Sequence, residues 1–449
     1  MGIRQVDLLG PARILHAHLT AALCETVFKT GRVTERRRIW TLHRLVEFWA
    51  AVILRAPESL RQALDEASRG AGGYPAVKSS PQAFFARSKG LRWTFFRDLF
   101  ERFTARALRG RAAPFEKELR GRLAAFPEVW IVDGSGLDAV AHRLKVLWDE
   151  RAVVLPGSLL VFYDLFRGLP RRLFFYEEAM GSEVGRTEAA LASVKKGTLL
   201  VGDRAYGVVR LFASLAAHGA FLLARRNRSV KLRQRTRLRR VRHDGGVLEE
   251  FLVLAGSGWN GVEPQRLRLI RWQRGKKLLE LVTNVLDAEA LAGETALDLY
   301  RRRWSVERMF FDLKEVLNLK RFYAANVNAV AMQVYAAALV YVALRLAQAQ
   351  VARDAGLAPE ALSTAKLFPK VAVASHDLAV VEIALDASQQ ANPGVTLERP
   401  DLRRMAFASA PLASVLVETR GDKRRRRRYC AARRRHASLH RFSRKRKRR

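Results

Sequence analysis

Apolar positions recur at helical spacing along residues 300–320, YRRRWSVERMFFDLKEVLNLK. Val306, Phe310, Leu313 and Leu317 fall on one narrow stripe of a helical wheel. The stretch has no Gly or Pro and is bracketed by Asp298 and Asn318, so the pattern predicts one helix with that stripe buried. Tyr300, Arg303, Glu307 and Lys314 share a second stripe, within about 60° of one another, that borders the first. A carboxylate there is half sheltered, with cations a turn away on either side. Such a face suits a group that binds metal and phosphate together. It is also the pattern of a solvated face carrying an i,i+4 Arg303–Glu307 pair, worth a few tenths of a kcal/mol.

Upstream, residues 1–115 read as helices at 12–29, 34–55, 58–68, 81–88 and 91–109. A loop over 69–81 is marked by Gly70, Gly72, Gly73 and Pro75. The pattern changes at Pro127. EVWIVDGSG is a short β-branched run ending in Asp133 and Gly134, and 158–166, 172–176, 198–202 and 220–224 read as further strands. Helices are expected at 187–195 and 208–217. Three strands, helix, strand, helix is the order of a mixed α/β domain. Residues 225–242 are densely basic and free of Gly. Beyond them 247–254, 266–272 and 278–285 read as strands between Gly, Asn and Pro turns, an all-β insertion. A long helix over 329–350 follows, then short helices and an apolar strand-like run within 356–385.

Charge changes the picture. Against 43 Asp+Glu stand 81 Lys+Arg, a net of +38, in a chain of 449 residues. Residues 421–449 hold sixteen Lys/Arg and one Asp, less than half of that excess, so the body is basic too. Nucleic acid is the leading partner, since phosphate contacts dominate such binding; an anionic membrane surface is the rival. The low-complexity 421–449 segment is expected to be disordered alone and to act as a polyanion arm. Arg36, Arg37 and Arg38, and Arg92 to Arg97 interleaved with Trp and Phe, fit a helical DNA-binding module or a plain basic bundle equally. Cys24 and Cys430 lie at opposite ends and form no metal-ligand or disulfide pattern. No secretory leader is read at the N-terminus, and the apolar run 329–344 is expected to be a core helix, not a membrane span.

Three acids stand out by position: Asp133 and Asp203 at strand ends, and Glu307 on the later helix. Singly, Asp133 reads as turn chemistry and Asp203 as a cap for the helix at 208. Together they have a physical logic. Strand ends and a packed helix bring carboxylates to one sheet edge, where they repel unless a cation sits among them. Hard oxygen ligands favour Mg²⁺ or Mn²⁺, and two such ions about 4 Å apart suit phosphodiester chemistry.

At these residues the sequence resembles the DDE transposases of the insertion-sequence-four group. VWIVDGSGL resembles the family's first strand, LLVGDRAYG its second Asp motif, and Tyr300-x2-Arg303-x3-Glu307-x6-Lys314 its YREK signature. The resemblance covers roughly residues 127–345. It implies an RNase H-like mixed sheet with an all-β insertion, an N-terminal helical domain and a helical C-terminal region. The divisions expected are 1–115 (helical, DNA-binding), 125–230 and 291–350 (catalytic core), 231–290 (β-rich insertion), 351–420 (helical) and 421–449 (tail). It implies Asp133, Asp203 and Glu307 as ligands of a two-ion Mg²⁺ or Mn²⁺ site. Tyr300, Arg303 and Lys314 are implied to contact transposon-end DNA, with Arg303 held for phosphate and not committed to Glu307. It further implies metal-dependent end cleavage and strand transfer by a DNA-bound homodimer in the cytoplasm, associated with the nucleoid and not with a membrane. A catalytically inactive DNA-binding derivative and an RNase H-like nuclease are the alternatives. Trp259 and Trp272 are expected to pack in the core, and Arg204 and Tyr206 to support Asp203.

Overall fold

The computed structural model describes residues 4–30, 39–109, 115–137, 157–178, 181–256, 262–324, 326–391 and 401–417. The 421–449 tail, Arg36, Arg37, Arg38 and Trp259 lie outside the described residues.

A short strand, β1 (Gln5–Asp7), precedes the N-terminal helices. α1 (Leu9–His18) and α2 (Ala21–Thr30) replace the single helix expected over 12–29. Thr20 divides them, because its Oγ1 accepts the Leu23 N–H at 3.2 Å and starts a new helix. α3 (Leu42–Arg55) and α4 (Leu60–Ser68) begin on Thr41 and Ser59, whose hydroxyls accept from the N–H groups of Arg44 and Gln62. α5 (Pro81–Gly90), α6 (Thr94–Ala107) and α7 (Lys117–Arg122) follow.

The sheet begins with β2 (Val129–Gly136), β3 (Ser158–Asp164) and β4 (Leu169–Tyr176), an antiparallel meander. α8 (Glu183–Ala189) and a 3₁₀ turn at Leu191–Ser193 stand where one helix was expected over 187–195. β5 (Leu199–Gly202), α9 (Val209–His218) and β6 (Phe221–Arg225) come next, and β5 joins β2 and β6 in parallel. Both faces are covered. Trp130, Val132, Leu160 and Leu200 pack beneath α8 and α9, while Val129, Ile131, Val161 and Val201 join the larger helical core on the other side. Burial on both faces is why these strands read as continuous apolar runs.

β7 (Leu232–His243), β8 (Gly246–Ala255), β9 (Gln265–Arg274) and β10 (Lys277–Thr283) extend the same sheet. β10 pairs antiparallel with β6, Leu281 opposite Arg225 and Thr283 opposite Leu223, so the strand order is β4-β3-β2-β5-β6-β10-β9-β8-β7. β7 was not anticipated. Its sequence, LRQRTRLRRVRH, has no alternation because most of its side chains are solvent-exposed on an edge strand; pairing with β8 supplies the order.

α10 (Gly293–Arg301), α11 (Trp304–Phe311) and a π turn (Asp312–Val316) replace the single helix expected around 300–320. Bonds from the Arg302 N–H to the Leu299 C=O (3.0 Å) and from the Arg303 N–H to the Tyr300 C=O (3.1 Å) tighten the chain between α10 and α11. The Leu317 N–H reaches back to the Asp312 C=O at 2.9 Å and widens the last turn. Val306, Phe310, Leu313 and Leu317 are buried all the same.

α12 (Val327–Asp354) starts on Asn326, whose side chain accepts the Ala329 N–H at 3.0 Å. It is long and apolar enough to cross a bilayer, yet it is buried inside the protein against α1, α3, α6 and β4. α13 (Thr364–Ala391) is one helix where short helices and a strand-like run were expected. Leu367, Phe368, Val371, Ala374 and Leu378 are buried at helical spacing, a period hidden among other apolar residues. β11 (Ser409–Pro411) pairs with β1 and joins the two ends of the described chain. The architecture is mixed α/β: a large mixed sheet with helices on both faces.

Candidate active site

The site is built on the register of β2 and β5. Val129 pairs with Leu199, Trp130 with Leu200 and Ile131 with Val201. Continued by two residues, that register sets Asp133 beside Asp203. By the alternation of a strand, both point to the face shared by Ile131 and Val201. β2 continues to Gly136 through its pairing with β3, so Asp133 lies within the strand and not at its end. The Gly134 N–H donates to Asp133 Oδ1 at 3.0 Å. The Ala205 N–H donates to Asp203 Oδ1 at 2.7 Å. Asp203 therefore shapes its own turn; α9, which starts from Val208, has no side-chain cap.

α11 packs on the same face and carries Glu307. Arg303, in the tight turn before it, places Nη2 at 2.7 Å from Glu307 Oε1 and Nη1 at 3.7 Å from Asp133 Oδ2. Its guanidinium lies 5.9 Å from the Tyr300 ring centre and 5.5 Å from that of Trp304. The expectation that Arg303 is uncommitted to Glu307 is thus corrected: it compensates two carboxylates at once. Lys314 lies apart from Glu307, at the end of β2, where its Nζ donates to Ser135 Oγ at 2.8 Å and to the Gly136 C=O at 2.7 Å. Burial lowers the Lys314 ammonium from its ordinary value. The second stripe of the helix thus gathers around β2, although the helix that was to align it is broken.

Burial pushes the Asp133 carboxyl up to about 7; Arg303 opposes the rise, and Glu183 and Asp203 add to it as like charges. Sequence reasoning missed Glu183. Its only signal was Ser182-Glu183, an ordinary helix start, whereas the structure turns the side chain toward Asp133 and Asp203. Tyr206 is fully buried and donates to Glu183, and Arg204 is exposed. Trp272 is half-buried, and its Nε1 donates to the His243 C=O at 2.9 Å.

The donor set is all oxygen, which hard divalent ions prefer. Among the described residues no three His, Cys, Asp or Glu side chains are drawn close enough to hold an ion as they stand. Arg303 occupies the gap between Asp133 and Glu307. An exposed i,i+4 pair contributes only about 0.3–0.5 kcal/mol, so the partly sheltered Arg303–Glu307 contact is a modest barrier to rearrangement. Burial raises the Asp133 carboxyl although the Arg303 guanidinium stands beside it, and Glu183 and Asp203 add to the rise as like charges. In donor type and charge, the residues fit a divalent cation.

Two aspartates on neighbouring parallel strands, Asp133 within β2 and Asp203 just after β5, thus lie near a glutamate carried by α11. Residues 157–343 match the family described as Transposase DDE domain. The match runs from β3 into α12 and includes Asp203 and Glu307. Over 192 residues the chain is 28% identical to a Sinorhizobium fredii protein named as a transposase, covering 42% of this chain and 52% of that one. It is 30% identical over 173 residues to a Geobacillus stearothermophilus protein named as a transposase for an insertion sequence element, 38% of this chain and 45% of that one. A Synechocystis protein with a similar name is 30% identical over 97 residues, 21% of this chain and 28% of its own. The chain spans about half the length, or less, of the curated relatives it matches. Over residues 157–343 the chain is similar to that family.

Proposed function

We propose that the protein is a DNA transposase of the insertion-sequence-four group that cleaves DNA at transposon ends and transfers the strand to target DNA. The observation that carries the proposal is the β2–β5 register, which sets Asp133 beside Asp203 on the face where α11 presents Glu307. The two parallel strands added to an antiparallel meander support an RNase H-like core, with β7–β10 as its β-rich insertion.

Asp133, Asp203 and Glu307 would hold two Mg²⁺ or Mn²⁺ ions. Those ions would supply Lewis-acid chemistry, activating an attacking oxygen and stabilising a leaving one. Lys314, fixed on Ser135 and Gly136, offers a compact point charge to a phosphate beside the acids. Arg303, once released from the acids, offers a forked donor to the same backbone, and Tyr300 packs beside it. The basic 1–115 region and β7 provide surface for the duplex, and two copies of the chain would join two ends.

The test is cleavage of the DNA flanking this reading frame with Mg²⁺. Asp133→Ala, Asp203→Ala and Glu307→Ala should each abolish cleavage and leave DNA binding largely intact. Cleavage that survives in any of these purified variants removes that residue from the site.

A further inference from the structure

We propose that the sheet face turned away from the acids, over the outer ends of β8, β9 and β10, binds the phosphate backbone of a second DNA duplex, the target of strand transfer. The inference rests on the transposase reading above and names the surface that takes one of its partners. Strand register sets a row of alternating charge across this face. Arg240 on β7 stands opposite Glu249, Glu249 opposite Arg271, and Arg271 opposite Glu280. Arg226, just after β6, completes the row: its N–H donates to the Glu280 C=O at 2.9 Å, and its Nη1 lies 2.8 Å from Glu280 Oε2. By strand alternation the row shares a face with Val253, Leu269 and Val282, which join the core beneath α8 and α9. Asp133 and Asp203 lie on the other face, with Ile131 and Val201. The row begins where that core ends, since Leu269 is buried while Gln273 and Leu278, further out on the same face, are exposed.

Cross-strand pairing for stability does not account for the geometry. Arg237, Arg240 and Arg271 all converge on Glu249 and stop at 3.9, 3.7 and 3.9 Å, beyond hydrogen-bonding distance. One carboxylate thus positions three guanidiniums without neutralising them, and two positive charges are left over. Forked donors held in this way suit phosphate oxygens. Neighbouring strands lie about 4.8 Å apart, so Arg240, Arg271 and Arg226 stand at intervals of about 10 Å. That is the scale on which the grooves, about 6 and 12 Å wide, separate the phosphate ridges of a duplex. α11 packs on the acid face and α8 and α9 on the opposite one, so a straight duplex at the acids does not also lie against the row.

The experiment uses the full chain without Mg²⁺, so that no DNA is cut. One equivalent of unlabelled duplex carrying the DNA that flanks this reading frame is bound first. Capture of a labelled duplex of unrelated sequence is then read by fluorescence anisotropy across a salt titration. Arg271→Gln should weaken capture about five- to tenfold near 0.1 M salt and reduce the salt slope of log K by about 1, the share of one phosphate contact. Leu278→Glu, which adds a negative charge to the same face, should weaken it similarly. Leu286→Glu makes the same charge change at an exposed position beyond β10 and should match the wild type. Wild-type capture in both face variants overturns the inference. Equal loss of affinity for the flanking duplex also overturns it, because the row would then hold the same DNA as the acids. Capture that follows these expectations in a chain that never cleaves with Mg²⁺ supports the surface and counts against the transposase reading alone.

Discussion

Arg303 Nη2 lies 2.7 Å from Glu307 Oε1, one helical turn away, and the same guanidinium stands beside Asp133. The arginine thus fills the position of positive charge that the acids require. Arg303→Gln should lower thermal stability without ions by about 1 kcal/mol, because two partly sheltered carboxylates lose their partner. It should also tighten Mg²⁺ binding by calorimetry, because a competing cation is gone. Affinity equal to the wild type would show that Arg303 does not compete for the site.

The raised Asp133 carboxyl makes stability depend on pH in a definite direction. In the unfolded chain an aspartate titrates near about 4; in the folded protein burial carries Asp133 up to about 7. Between those values the folded state binds the proton more tightly, so ion-free stability should fall as pH rises through this window. Asp164 and Asp312, each raised to about 6 mainly by burial, act in the same direction. The difference between wild type and Asp133→Asn isolates the site. Urea unfolding from pH 4 to 8 should give a sloping difference curve, and a flat one would remove Asp133 as a buried titrating group.

Lys314 bonds Ser135 Oγ and the Gly136 C=O, a fixed seat for an ammonium at the end of β2. Lys314→Ala should weaken binding to transposon-end DNA and reduce the salt slope of log K by about 1. Lys314→Arg should not restore it, since a planar fork does not fit a seat built for three tetrahedral donors. Fluorescence anisotropy across a salt titration reads both effects, and full rescue by arginine would show that only charge matters.

β7 carries six arginines in twelve residues at the sheet edge. One role of such charge is to block edge-to-edge pairing. Arg235→Gln with Arg242→Gln, two exposed positions, separates this from DNA binding. The double variant should stay monodisperse by light scattering and lose DNA affinity with a shallower salt dependence. Aggregation with unchanged DNA affinity would make β7 a guarded edge.

Much of this architecture was legible in the chain. EVWIVDGSG and TLLVG announced β2 and β5 because strands buried on both faces leave continuous apolar runs. The buried stripe Val306, Phe310, Leu313 and Leu317 was legible because burial survives a local change in helix winding. The break at Arg303 was not, since it depends on a tight turn whose side chain is drawn to Asp133 on a strand 170 residues earlier. β7 escaped because an exposed arginine strand has no apolar period. Glu183 escaped because its meaning lies in contacts with Gly134 and Tyr206, two residues that look like turn and core in isolation. α13 read as mixed because its buried period is masked by apolar neighbours.

The pairing of β10 with β6 has a mechanical consequence. A rung of this ladder joins Leu281 to Arg225, and β6 lies directly against β5, which ends at Gly202 just before Asp203. The basic edge and the two aspartates therefore belong to one hydrogen-bonded sheet, so a displacement of the edge strand is passed along the ladder toward the strands that carry Asp133 and Asp203.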